Sequence, residues 1–323
     1  MRTVAKTLRE EAGAVTASLF HGKSERCLLD IKPGKDQTSR YGIALDLGTT
    51  TVAVELIDLA TGGVAENAAA YNGQVPCGAD VIGRINYAST PARLRELRDR
   101  AAGTINRLVD AVCADAGIPR ETIVCGSISG NTVMTHLLLG LDPEYLRLEP
   151  YTPTIHSLPD LSAAELGIPL HPEARLLLSS AVGSYVGGDI MAGLLCTDIP
   201  HATDGISLFI DVGTNGEIAL GNRDFIMACA CSAGPAFEGG GLTCGMRATR
   251  GAIDRIAIDQ ETGAPSIGVI GGGNPQGICG SAAIELMAGL FRGGWMDSQG
   301  RFSRVKKSPG LRVEGRRARY DIA

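Results

Sequence analysis

The sequence contains no C-x-x-C pair and no short-spaced cluster of four cysteines, although nine cysteines are scattered along it. Iron–sulfur cages and structural zinc sites need such clusters, so neither is expected here. An odd number of cysteines spread through the apolar segments of a long chain is no disulfide framework either. The five histidines show no H-x-x-H or H-E-x-x-H spacing, which removes the usual helical zinc motif. Aromatic residues make up only 4%, with one Trp, which argues against an aromatic-rich binding surface. No run of about 18 apolar residues occurs, and Arg2, Lys6, Arg9, Glu10 and Glu11 interrupt the first positions before a signal-peptide core could form. A formal net charge of -5 leaves no global basic field of the kind non-specific nucleic-acid binding requires. Neither nucleic acid nor membrane is an expected partner, and a cytoplasmic location is expected.

What the chain does have is apolar residues, 44% of 323, and 43 glycines. That supports about two lobes of α/β character with many tight strand-to-helix turns. Lys32 to Arg40 is a polar run around Pro33-Gly34 and reads as a linker, with a strand from Val15 to Phe20 before it. Ile43 to Leu45, a Gly-Thr turn, and Val52 to Ile57 read as a strand–turn–strand hairpin. Arg93 to Ala116 places Leu94, Leu97, Ala101, Ile105, Leu108 and Val112 at spacings of three and four, the stripe of an amphipathic helix. A second helix is expected from Asn131 to Leu139, with Asn131 as its cap. Pro150 to Pro172 reads as an exposed connection, and the glycine-rich Val182 to Leu195 as a helix or turn packed close to backbone.

The first hairpin then returns. Leu45-Asp46-Leu47-Gly48-Thr49-Thr50 and Ile210-Asp211-Val212-Gly213-Thr214-Asn215 share one frame, apolar-Asp-apolar-Gly-Thr-polar, 165 positions apart. A repeat on that scale duplicates a whole lobe and implies a cleft between the copies. Such a turn suits a polyphosphate: glycine lets the backbone approach closely, successive amides make an anion nest, and threonine hydroxyls donate to phosphate oxygens. The aspartates suit Mg²⁺ held through water. The expected site therefore has Asp46 and Asp211 facing each other around Mg²⁺, with Gly48, Thr49, Thr50, Thr51, Gly213, Thr214, Asn215 and Gly216 gripping phosphates. Glu217, or a neighbouring carboxylate, would orient the attacking water.

Asp46-Leu-Gly-Thr-Thr-Thr51 and Asp211-Val-Gly-Thr-Asn-Gly-Glu217 resemble the two phosphate loops of the ASKHA superfamily, which includes acetate and sugar kinases and actin. More narrowly, four segments make the chain similar to the reductive activators of corrinoid proteins. They are Asn72 to Ile85, Ser129 to Pro143, Ala233-Gly-Pro-Ala-Phe-Glu-Gly-Gly240, and Gly277-Ile-Cys-Gly-Ser281. The resemblance implies an actin-like, ribonuclease H-like α/β ATPase core. Residues 1–40 would be the remnant of a middle domain plus linker, 41–200 a first lobe, and 201–323 a second, partial lobe. It implies ATP and Mg²⁺ as cofactors, with Glu238 and Gly239 in the nucleotide cleft. The implied activity is ATP-driven return of a corrinoid cobalt from Co(II) to Co(I) on a partner corrinoid protein or methyltransferase. The electron would come from a low-potential donor whose iron–sulfur cluster sits on another domain, because the ferredoxin-like region of the family is absent here. Family members also continue beyond the point where this chain stops, and Gly280-Ser281-Ala282 stands where they carry Gly-Ser-Gly. A piece of an activator is therefore expected, with its oligomeric state, a homodimer included, left open. A small-molecule kinase and a non-catalytic corrinoid-protein-binding module are the alternatives on this fold.

Other features favour plainer readings. Cys229-Ala-Cys231 reads as two buried small hydrophobes on one face of a strand rather than, with Cys244, a set of metal ligands; Gly271-Gly-Gly273 is either a plain tight turn or a glycine-rich turn passing near a nucleotide. The basic stretch from Arg301 to Tyr320 reads as a solvated end.

Overall fold

The structure, a computed structural model, describes residues 4–22, 26–213, 215–232, 242–314 and 317–322. Two compact units divide it: residues 1–210 with 217–230, and residues 211–216 with 231–323.

The first unit begins with a short helix, α1 (Val4–Thr7), and a hairpin of β1 (Val15–His21) and β2 (Arg26–Pro33). Lys32 and Pro33 of the polar run close β2, and the rest, Gly34 to Arg40, carries no regular element but is anchored. Asp36 meets Lys32 and Arg40 at 3.1 Å each, and Arg40 also reaches Asp30 at 3.2 Å. The Thr38 hydroxyl on Asp36, helped by Lys32, lowers that carboxyl to about 2.

The main sheet contains β3 (Tyr41–Leu47), β4 (Thr51–Asp58) and β5 (Val64–Tyr71). After α2 (Val81–Tyr87) and α3 (Pro91–Ala116) come β6 (Ile123–Gly130), α4 (Thr132–Leu139), β7 (Leu161–Ser162) and β8 (Arg175–Leu178). Its order is β5-β4-β3-β6-β8-β7. β3 and β4 pair antiparallel with Leu47 opposite Val52, as the alternation predicts. β6 runs parallel to β3, so Asp46 and Leu47 lie beside Ser129 and Gly130. Two adjacent central strands thus end together at their carboxyl ends, the place where open α/β sheets present loops to ligands. Thr90 caps α3 and Gly117 closes it in the left-handed region, while its Leu97, Ile105, Val109 and Val112 are fully buried.

Pro150 to Pro172 corrects the expectation of an exposed connection. Ala163, Leu166, Ile168 and Leu170 are buried in the main core, so this stretch plugs the sheet edge where β7 pairs with β8. The glycine-rich segment becomes α5 (Gly188–Leu195), and a Cβ at Gly187 would lie 2.4 Å from the Asn131 Cα. Its buried Ile190 and Leu194 cover Phe209 and Ala219 of a three-stranded sheet ordered β11-β10-β9. These strands are β9 (Ser207–Val212), β10 (Asn215–Gly221) and β11 (Ile226–Ser232).

In the second unit, β12 (Ala252–Ile258) sits between β13 (Pro265–Val269) and β14 (Gly277–Ile278), and α6 (Gly280–Arg292) packs on β12. The basic stretch is not a loose end. Within it, β15 (Leu311–Glu314) and β16 (Arg317–Tyr320) pair, with Arg312 and Arg319 held by Asp321 at 2.7 and 3.3 Å. Gly271, Gly272 and Gly273 all have positive φ and make a tight turn. Cys229 and Cys231 are exposed, which corrects their reading as buried. Among the described residues no group of three or more His, Cys, Asp or Glu could hold a metal ion, and no helix is long and apolar enough to cross a membrane.

His136 in α4 gives the first unit a pH dependence. Its ring is buried; Nδ1 lies 2.7 Å from the Thr132 carbonyl, and Nε2 accepts from the Thr154 amide at 3.1 Å. An accepting Nε2 places the proton on Nδ1 and makes the ring neutral. Burial lowers its pKa, and that of His171, below the usual value. The unfolded chain then takes up protons first, so stability is full above about pH 6.5 and is lost as pH falls. The denaturation midpoint should drop between pH 7.5 and 5.5, and His136→Gln should flatten that slope. An equal slope in the variant would remove the assignment.

Candidate nucleotide site

The Gly48–Thr50 turn joins β3 to β4 and is held from inside the protein. The Asn72 side-chain amide donates to the Gly48 carbonyl at 2.9 Å, and the Asn72 backbone amide donates to the Thr50 carbonyl at 2.8 Å. The Thr49 carbonyl accepts from Arg84 Nη2. A trans peptide points its N–H opposite to its C=O. The N–H groups of Thr49 and Thr50 therefore each point opposite to the engaged carbonyl of their own peptide, away from Asn72 and Arg84. Gly48 is required by close approach, because a Cβ there would lie 2.4 Å from the Thr51 carbonyl oxygen.

Asn131 does two things at once. Its Oδ1 caps α4 by accepting from the Met134 amide at 2.9 Å, and its Nδ2 donates to the Thr49 hydroxyl at 2.9 Å. The cap foreseen from sequence is thus also a second-strand support for the turn. Asp46 is exposed at the end of β3, Thr49 is buried, and Thr50 and Thr51 are half-buried.

Sequence reasoning missed the layer behind the turn. Gln74 accepts from Arg84 Nη1 at 2.9 Å, donates to the Leu97 carbonyl at 2.9 Å, and takes its own backbone bond to Asn72 Oδ1 at 3.0 Å. Arg84 is fully buried on α2, whose buried Val81 and Ile85 flank it. The signal was present: positions 81, 84, 85 and 88 form one helical stripe, and a charged residue stands where the pattern calls for an apolar one.

Around the second copy, β9 and β10 are neighbours in one sheet, and the Gly213 amide donates to the Asn215 carbonyl at 2.8 Å. Asp211 is exposed, Gly216 is buried, and Asn215 is half-buried. Glu217 is buried, and strand alternation places it on the same face as the core residue Ala219. Thr214, Glu238 and Gly239 lie outside the described residues. Asp46 belongs to the first unit and Asp211 to the second.

Residues 41–202 match the RACo middle region, and residues 205–323 match the C-terminal domain of RACo, the ASKHA domain. The chain belongs to the RACo family. It is 36% identical over 277 residues to the corrinoid activation enzyme RamQ of Eubacterium limosum, covering 85% of this chain and 46% of that protein. It is 29% identical over 218 residues to the [Co(II) methylated amine-specific corrinoid protein] reductase of Methanosarcina barkeri, covering 66% of this chain and 40% of that one. A solved structure of a reductive activator for corrinoid, iron–sulfur protein superposes with a TM-score of 0.89 at 41% identity, over 100% of this chain and 51% of that chain. The chain thus spans about half the length of these RACo relatives. Its α/β core is of the ASKHA type.

Proposed function

We propose that this chain is the nucleotide-handling part of an ATP-dependent reductive activator, which returns a corrinoid cobalt from Co(II) to Co(I) on a partner protein. The observation that carries the reading is the first turn: its carbonyls are engaged from behind, which turns the Thr49 and Thr50 amides toward the other side, beside an exposed Asp46. That donor set fits a magnesium–triphosphate, with amides and hydroxyls for phosphate oxygens and a carboxylate for a hydrated cation. In this reading Gly48, Thr49, Thr50 and Thr51 hold one part of the phosphate chain. Gly213, Thr214, Asn215 and Gly216 hold the other, and Glu238 and Gly239 contribute to the cleft. Asp46 and Asp211 anchor Mg²⁺ through water, and Glu217 orients the attacking water. When bound, Mg²⁺ would offset the charge that develops on the transferred phosphoryl group.

The names of the relatives support the substrate class, a corrinoid protein in the Co(II) state. ATP hydrolysis would drive a one-electron reduction that an ordinary donor cannot complete, with the electron arriving from an iron–sulfur cluster outside residues 1–323. The test is calorimetric titration with Mg·ATP, followed by hydrolysis with and without a Co(II) corrinoid protein. Binding and corrinoid-stimulated ADP formation are expected. Absence of nucleotide binding would sink the reading, and ADP formation that depends on a small acceptor instead would make the chain a kinase.

A further inference from the structure

Arg84 is a buried cation whose partners are all neutral. Its Nε donates to the Gly78 carbonyl at 3.0 Å, Nη1 to Gln74 Oε1 and to Met134 Sδ at 2.9 Å each, and Nη2 to the Thr49 carbonyl. Asp80 is near enough to favour the charge, but its carboxylate is spent as the cap of α2, accepting from the Gly83 amide at 2.7 Å. Burial brings the guanidinium down to about 10, so it remains charged at neutral pH. Among the described residues no ion pair to Arg84 is formed.

Stability alone does not account for this residue. Burying a charge without a counter-charge costs several kcal/mol, and a Leu or Met on the same stripe between Val81 and Ile85 would avoid that cost. The guanidinium binds the Thr49 carbonyl, and the N–H of that same peptide, on Thr50, faces the opposite way. A donor on one end of a peptide polarises the other end. We infer that Arg84 is a positioning residue that fixes the Gly48–Thr50 turn in its anion-receiving shape. Through the Thr49–Thr50 peptide it also supplies the positive charge that a polyphosphate laid on the turn neutralises. This rests on the nucleotide reading above.

The experiment uses Arg84→Met and Arg84→Lys in the full chain, with folding checked by circular dichroism. Backbone amide exchange is followed by mass spectrometry, and titrations use inorganic tripolyphosphate and Mg·ATP at two salt concentrations. Exchange at Thr49 to Thr51 should rise about tenfold or more in both variants while the centres of β3 and β6 keep their protection. Affinity for tripolyphosphate should fall about tenfold in the Met variant and less in the Lys variant, with a weaker salt dependence in the former. Unchanged exchange at the turn overturns the inference, as does acceleration spread evenly through β3 and β6, which would mark a merely structural residue. Faster turn exchange with unchanged affinity also overturns it. If the native chain binds neither probe, the nucleotide reading fails, and the exchange data alone then decide whether Arg84 shapes the turn. Should the Met variant not fold, the Lys variant, which keeps the charge with fewer donors, decides on the same criteria.

Discussion

Asp46→Asn should leave the chain folded and lower nucleotide turnover about a hundredfold or more, the scale seen when one charge-stabilising group is removed from an active site. The fold is expected to tolerate it because Asp46 is exposed, while its backbone is locked on both sides, opposite Ala53 of β4 and beside Ser129 of β6. Exposed substitutions away from caps and cores change stability by roughly 0.5 kcal/mol or less. Asn keeps the size and hydrogen-bonding capacity of the side chain and removes its charge, so the loss should be felt through the cation. The apparent Mg²⁺ requirement should rise, and saturating Mg²⁺ should restore part of the rate. Asp211→Asn should behave alike. The measurement is ADP release against Mg²⁺ concentration, with nucleotide affinity determined separately. Native turnover in both variants at limiting Mg²⁺ would show that neither aspartate serves the metal.

Sequence revealed the parts of this site that are built locally. The alternation on either side of Gly48 and Thr49 fixes a hairpin, and Asn131 before an apolar run announces a helix cap; each needs only neighbours along the chain. The repeat at Asp211 likewise lies between two strands that are neighbours in one sheet. What stayed hidden depends on distant contacts. Leu166 and Ile168 lie in a Pro-rich stretch without helical or strand periodicity, so only the sheet edge that they cover reveals them as core. The basic end is solvated as its charge run suggests, Arg312 and Arg319 being mostly exposed, but the hairpin they form and their counter-charge at Asp321, beyond it, were not legible. Cys229 and Cys231 alternate as strand residues should, but the pattern does not say which face of β11 is covered. Arg84 is the instructive case: its misfit on an apolar stripe was legible, and its purpose required the 35-residue jump to Thr49.

The second unit should owe much of its stability to Trp295. The ring is buried, and the chain makes room for it with two glycines: a Cβ at Gly293 would lie 1.8 Å from Cζ3, and one at Gly263 would lie 2.6 Å from Cε2. The Lys306 ammonium sits 4.7 Å over the ring and donates to the Gly293 carbonyl, so the ring is clamped from its face as well. Trp295→Ala should therefore cost about 3–5 kcal/mol, as large-to-small changes at buried aromatic sites do. Trp295→Phe should cost far less, because the indole Nε1 is buried without a partner among the described residues and its loss removes an unsatisfied donor. Gly293→Ala isolates the packing itself. Gly293 has helical φ and ψ, so alanine introduces no backbone strain, and any effect comes from displacing the ring. About 1–3 kcal/mol of destabilisation is expected from such overpacking. This chain contains one Trp, so its fluorescence reports on the second unit alone. In Gly293→Ala the urea midpoint read by Trp fluorescence should fall while the main circular-dichroism transition, dominated by the helices of the first unit, stays in place. A fluorescence midpoint equal to that of the native chain would mean that the ring can shift at no cost and that the clamp is not what holds this unit together.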